Sequence, residues 1–192
     1  MARGRQVRLG TFATSICALA VLALTLSAAA AGAVTKTFSS GNLSREIARD
    51  GRALEKLKVP AHGKLKDVDL MVRMKHPDLS NLLSVELSNP EAHNIAQTLE
   101  LVSGGSFTGA DLGTGGGKCA SQLTVFDDEA LTPIGNGIGP YTGSYAPEPP
   151  GLSNFDREKM SGKWELFVEN GHDDVSGALY CWKLRITCKP AG

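Results

Sequence analysis

The sequence predicts an all-β domain, an antiparallel β-sandwich of the jelly-roll, galactose-binding-domain-like kind. Three observations predict it. Apolar and polar residues alternate with period two in several runs beyond residue 65. Clusters of Gly, Pro, Asn and Asp separate these runs, and no run of helical period lies between them. Composition agrees, with 22 Gly and 9 Pro among 192 residues and only 6% aromatic side chains.

Taken in order, residues 34–65 are polar and mixed. Ile47, Leu54 and Leu57 fall roughly on one side of a helix over 44–57, although Gly51 in its middle costs about 1 kcal/mol relative to Ala. Beyond this stretch, Val68, Leu70, Val72 and Met74 alternate with Asp67, Asp69, Arg73 and Lys75, the pattern of a half-buried strand. Leu83, Val85 and Leu87 alternate with Ser84, Glu86 and Ser88 in the same way. Further strands are expected at Ile95–Val102, Gln122–Phe126, Trp164–Val168 and Ala178–Thr187. The stretches 104–118 and 134–150 are rich in Gly and Pro and read as long loops.

The zero formal charge, 20 basic against 20 acidic residues, averages two unlike pieces. Residues 1–33 hold Arg3, Arg5 and Arg8, no acidic residue, the apolar run Ile16–Leu26 and an Ala-rich tail ending at Ala33. That order is a secretory signal peptide. Cleavage after Ala33 leaves 34–192 as one mildly acidic domain, secreted and free of the membrane. A basic excess that would suit nucleic acid is absent.

Export implies an oxidising compartment for Cys119, Cys181 and Cys188. Cys181 and Cys188 flank one strand, roughly 23 Å of extended chain, too far apart to bridge. Alternation sends Tyr180, Trp182, Leu184, Ile186 and Cys188 toward the core, and Cys181, Lys183, Arg185 and Thr187 outward. A loop cysteine reaches an outward partner more easily, so Cys119–Cys181 is the expected disulfide and Cys188 a buried free thiol.

Catalytic signals are lacking. No Gly-x-Ser-x-Gly occurs, the four histidines show no zinc-helix spacing, and in the run Gly113–Lys118 Cys119 stands where a phosphate loop needs Ser or Thr. The chain is read as no enzyme. Asp78, Asp127, Asp128 and Glu129 sit in loops after strands, where carboxylates suit the hard ion Ca²⁺. Trp164, Trp182, Phe155 and Phe167 read mostly as core. Tyr141 and Tyr145, set in turns, read as surface or loop-packing residues and are candidate contacts for a partner.

Several segments carry a resemblance. Gly139–Glu148, Leu152-Ser153-Asn154-Phe155, Ser161–Leu166, and Ser176–Leu179 with Trp182 and Leu184 resemble the P domain, or homo B domain, of subtilisin-like proprotein convertases. Asp67-Val68, His76 with Asp78-Leu79, Leu87–Pro90 and Phe126–Ala130 fit the same order, so the resemblance runs from about residue 36 to 188. It implies an eight-stranded jelly roll and replaces the helix at 44–57 by an extended lead-in at Ile47–Gly51. It also implies an accessory role beside a secreted serine-type endopeptidase, whose partner domain carries the catalytic triad. The expected partner is therefore an exported protein, a protease among the possibilities, or a surface polymer. The alternatives are a protease acting through an unrecognised site and a passive adhesive protein. N-terminal sequencing of the exported protein should begin at or near Val34; a start at Met1 would mean that the apolar run is kept.

Overall fold

The computed structural model describes residues 32–91, 98–120 and 122–189. Most of the segment 1–33 expected to be a signal peptide, and the first residues of the strand expected at 95–102, lie outside them. The described residues form ten strands in two sheets. In chain order these are β1 (Val34–Ser39), β2 (Arg45–Ile47), β3 (Gly51–Val59), β4 (Lys64–Lys75), β5 (Leu82–Ser88), β6 (Thr98–Ser103), β7 (Thr124–Phe126), β8 (Gly143–Tyr145), β9 (Gly162–Asn170) and β10 (Gly177–Lys189). The first sheet runs β1-β10-β4-β7-β8, with β2 also on β10, and the second runs β3-β9-β5-β6. Among the described pairs, β7 with β8 is parallel and the others are antiparallel.

This is the expected β-sandwich, with the three-residue strands β2, β7 and β8 among its ten described strands. The core lies between the sheets. Val68, Leu70, Val72 and Met74 of β4 face Trp164, Leu166 and Val168 of β9, and Trp182, Leu184 and Ile186 of β10 complete the layer. Phe155 packs edge-on against Trp164 at 4.9 Å, and the indole Nε1 donates to Met160 O at 3.0 Å. Such an aromatic pair contributes about 0.5–1.5 kcal/mol beyond the area it buries.

The helix expected at 44–57 does not form. Asp50 turns the chain at φ 39°, and beyond it period two wins: Ala53, Leu57 and Val59 point inward while Leu54 is exposed. Leu54 had been the inward residue of the helical reading. Two further departures come from β-bulges, each of which reverses the alternation for one residue. A shift between Leu82 and Ser84 buries Leu82 and turns Leu83 out. A shift between Leu179 and Cys181 places Leu179 inward and leaves Tyr180, expected in the core, half-buried on the outer side.

The outward turn at Tyr180 bears on the cysteines. Cys181 follows it on the outer face, and it is joined to Cys119 with the two Cα atoms 5.1 Å apart. Cys188 is buried and free. The bridge closes 62 residues of chain, which in the loop-entropy account stabilises the fold by about 4 kcal/mol. Replacing both cysteines by Ser should lower the urea midpoint accordingly, without changing far-UV circular dichroism at low denaturant; Cys188→Ala should leave the bridge and the non-reducing peptide map intact.

Candidate functional site

The outer face of β4 reads in sequence as solvent-facing, yet two of its charged residues are buried: Asp69 is 1% and Arg73 3% exposed. Arg73 organises the loop that covers it, and Asp69 pairs with a cation of the neighbouring strand. Arg73 donates through Nη1 to Met74 O at 2.7 Å and Leu112 O at 3.2 Å, and through Nη2 to Gly115 O at 3.1 Å. Its guanidinium also lies 3.7 Å from Asp111 and 5.7 Å from the centre of the Tyr180 ring. The Gly-rich stretch at 113–118 is thereby held against the sheet.

Asp69 sits at the other end of that face. Its Oδ2 accepts Arg185 Nε–H at 2.6 Å, and Arg185 Nη2 stands 3.7 Å from Asp127 Oδ2. Asp67, Asp128, Glu129 and Asp156 surround this pair electrostatically. Burial, and then the neighbouring Asp69 and Asp127, push the Asp67 carboxyl above its ordinary range. Asp69 is raised by burial in spite of Arg185, and Asp156 by burial and then Asp128. Burial also raises Glu129, with Asp127 as its hydrogen-bonding neighbour. The hydrogen bond to Asp69 in turn lifts Arg185 further. The result is an acidic edge with one embedded cation.

The four carboxylates expected to hold calcium do not meet. Asp127 and Asp128 follow β7, beside Asp69 and Arg185. Asp78 follows the opposite end of β4, where its Oδ1 accepts Ser80 N–H at 2.9 Å. Asp128 accepts Leu152 N–H at 2.9 Å and Ser153 N–H at 2.6 Å, which fixes the short 3-10 turn Leu152–Phe155. Asp127 Oδ1 accepts Glu129 N–H at 2.9 Å. Among the described residues, no three His, Cys, Asp or Glu side chains form a group that could hold a metal ion.

The loop that leaves this edge carries the two tyrosines. Tyr141, expected as a surface or loop-packing residue and a candidate contact, packs the loop: it is 0% exposed and cannot be a contact. Its hydroxyl accepts Thr108 N–H at 2.9 Å and donates to Gly137 O at 3.2 Å, and its ring packs edge-on between Phe107 and Tyr145 at 5.3 and 5.4 Å. The turn residues around it had suggested exposure, but Gly137 is what admits the ring: a Cβ there would lie 2.5 Å from Tyr141 Cε1. Tyr145 is half-buried against the core. The side chains this loop does present are Leu131, 99% exposed, and Ile138, 72% exposed. The sequence reading passed over both, since an apolar residue in a loop carries no periodic signal. Their positions between Asp127 and the tyrosine turns were the only hint.

At the Asp78 end, His76 and His172 lie with ring centroids 5.6 Å apart, each with a buried Nε2 lacking a hydrogen bond. His172 faces Asp78 at 3.8 Å and Asp174 at 3.6 Å. The His76 backbone N–H donates to Asp111 at 2.8 Å, and Asp78 N–H donates to His76 Nδ1 at 3.3 Å. Burial and the neighbouring His172 push the His76 imidazole below its ordinary range, against weaker support from the Asp78 backbone bond, Asn170 and the Asp78 charge.

No protein-family model matches the chain, and no curated protein sequence matches it. Solved structures similar to it include two of a serine protease of Aeromonas sobria. The crystal structure of the Aeromonas sobria serine protease in complex with the chaperone matches with a TM-score of 0.52 and 16% identity, over 83% of this chain and 28% of that chain. The serine protease of Aeromonas sobria matches with a TM-score of 0.49 and 16% identity, over 82% of this chain and 27% of that chain. The first likeness is one of fold, and the chain spans less than a third of the length of either neighbour.

The state of His76 sets a pH dependence. The unfolded chain takes up its proton near the ordinary histidine value of about 6.5, whereas the folded protein resists until lower pH. Stability is therefore fully present above about pH 6.5 and falls as pH drops from there through the lowered folded value. Melting temperatures from pH 8 to 5 should show this decline, and His76→Gln should flatten it; an unchanged slope in the variant would place its origin elsewhere.

Proposed function

We propose that residues 34–192 are a P, or homo B, domain: an exported, non-catalytic module that works beside a serine-type endopeptidase. The observation that carries this reading is a conjunction. The segments resembling that domain, from Asp67-Val68 to Trp182 and Leu184, occur in its order, and they build a sandwich whose fold is that of part of a chain in a serine protease structure. The disulfide suits an oxidising compartment.

The proposed contact is the loop carrying Leu131 and Ile138, next to the acidic edge of Asp127, Asp128 and Glu129. A leucine that meets only water gains what its burial is worth when a partner covers it, of the order of 1.5–3 kcal/mol. Rigid anchoring of the loop by Tyr141 lowers the ordering cost of that contact.

The test is affinity capture from the native secretome with residues 34–192 as bait, read by mass spectrometry, followed by titration of the captured protein in purified form. One exported serine protease should be recovered. Leu131→Ser with Ile138→Ser should weaken its binding at least tenfold and leave the melting temperature alone. Tyr141→Ala should instead destabilise the domain by about 3–5 kcal/mol, as removal of a buried aromatic does. Recovery of surface polymer and no protease would retire the reading.

A further inference from the structure

The exposed face of the β3–β9 pair follows a charge rule and breaks it once. Arg52 stands opposite Glu169 and Lys56 opposite Glu165, with ion pairs of 2.8 Å in both cases, and Leu54 stands opposite Phe167. The next rung sets Lys58 opposite Lys163. Side chains directly opposed on antiparallel strands have their Cβ atoms about 4.5–5.5 Å apart, and like charges placed so repel. Among the described residues, no carboxylate lies within ion-pair distance of either ammonium.

The two lysines line a cleft of about 600 Å³, together with His62, Glu91, Ser161 and Gly162. Its far wall is fixed. Asn89, itself buried, accepts Glu91 N–H through Oδ1 at 3.2 Å and donates through Nδ2 to Lys159 O at 3.2 Å. Gly162, at φ 132°, lets that wall come against the backbone: a Cβ there would stand 3.0 Å from Glu91 Oε2 and 3.1 Å from Asn89 Oδ1. Two cations without an ion-pair partner among the described residues thus line one cleft with a carboxylate whose backbone is fixed by Asn89.

We propose that this cleft binds a sugar carrying a phosphate or sulfate ester. The tetrahedral oxyanion lies between the Lys58 and Lys163 ammonium groups, each donating to it as a point charge, and its charge removes the repulsion built into the rung. Glu91 accepts a hydrogen bond from a hydroxyl next to the ester. A lone small anion would leave most of the volume empty and meet the Glu91 carboxylate unshielded, whereas a hydroxylated carrier fills the cleft, whose size lies within the range of ligand pockets. The cleft belongs to the β3–β9 sheet and uses none of the residues of the Leu131 loop, so the two proposals stand or fall separately.

Calorimetric titration of the purified chain at low salt, with glucose 6-phosphate, glucose 6-sulfate, glucose and inorganic phosphate, tests the site. At least one ester should bind saturably and glucose should not; whichever ester binds identifies the group. Lys58→Ala and Lys163→Glu should each weaken that binding tenfold or more. Lys163→Glu also turns the rung into a copy of Lys56–Glu165, so its melting temperature should rise while binding is lost, which separates recognition from folding. Glu91→Gln should weaken the ester and spare inorganic phosphate. No saturable binding of either ester, or equal affinity in Lys163→Glu, would overturn the site. Inorganic phosphate binding as tightly as the ester would overturn the role of Glu91.

Discussion

The ladder between β4 and β10 is the constraint on which the remainder of the structure depends. It pairs Lys64–Lys75 with Ala178–Lys189 through the centre of one sheet, and β1, β2 and β7 attach to one or other of its strands. Its inner face supplies much of the core. Its outer face decides where the loops go, because Cys181 lies there within reach of Cys119 and the bulge at Tyr180 turns that ring toward Arg73. Without the bulge, the regular alternation would send Tyr180 into the core and Leu179 out of it.

Buried charge does the second part of the organising. A charged side chain removed from water is tolerated only with partners that replace its hydration. Arg73 therefore draws in the carbonyls of Met74, Leu112 and Gly115, and Asp69 draws in Arg185. Around Arg73 irregular chain becomes fixed chain, and the glycine-rich segment at 113–118 acquires a definite position without regular structure of its own. The Pro-rich segment is tied likewise: Glu148 accepts Ser103 N–H at 2.8 Å and both the Ser103 and Ser106 hydroxyls, stitching it to the end of β6.

Much of this was legible in the sequence, for reasons that can be named. The strands at 64–75, 162–170 and 177–189 announced themselves because one face is apolar and the other polar, and the disulfide followed from which face Cys181 occupies. The exceptions share one cause, in that a bulge or a covering loop breaks the link between alternation and exposure. Leu83, Tyr180, Asp69 and Arg73 all failed for this reason. Tyr141 failed as a contact, though not as a loop-packing residue, because its surroundings, read one residue at a time, are turn formers, whereas its burial depends on Phe107 and Thr108 more than thirty positions earlier. The acidic residues were correctly placed in loops, but only the antiparallel run of β7 against β4 shows that Asp127 and Asp78 belong to opposite ends of a strand.

The register of the first strand has a mechanical meaning. Val34 lies opposite Cys188, so the two ends of the sandwich leave it side by side along antiparallel neighbours. Tension applied across those ends loads the hydrogen bonds of β1 and β10 one rung at a time, as a zipper is opened, instead of shearing them together. Peeling of β10 from its end meets a covalent stop at Cys181, seven residues in, where the bridge to Cys119 transfers the load to the loop held by Arg73. The domain thus yields early at its margin and holds beyond it, behaving under force as a short extensible tether in series with a rigid body.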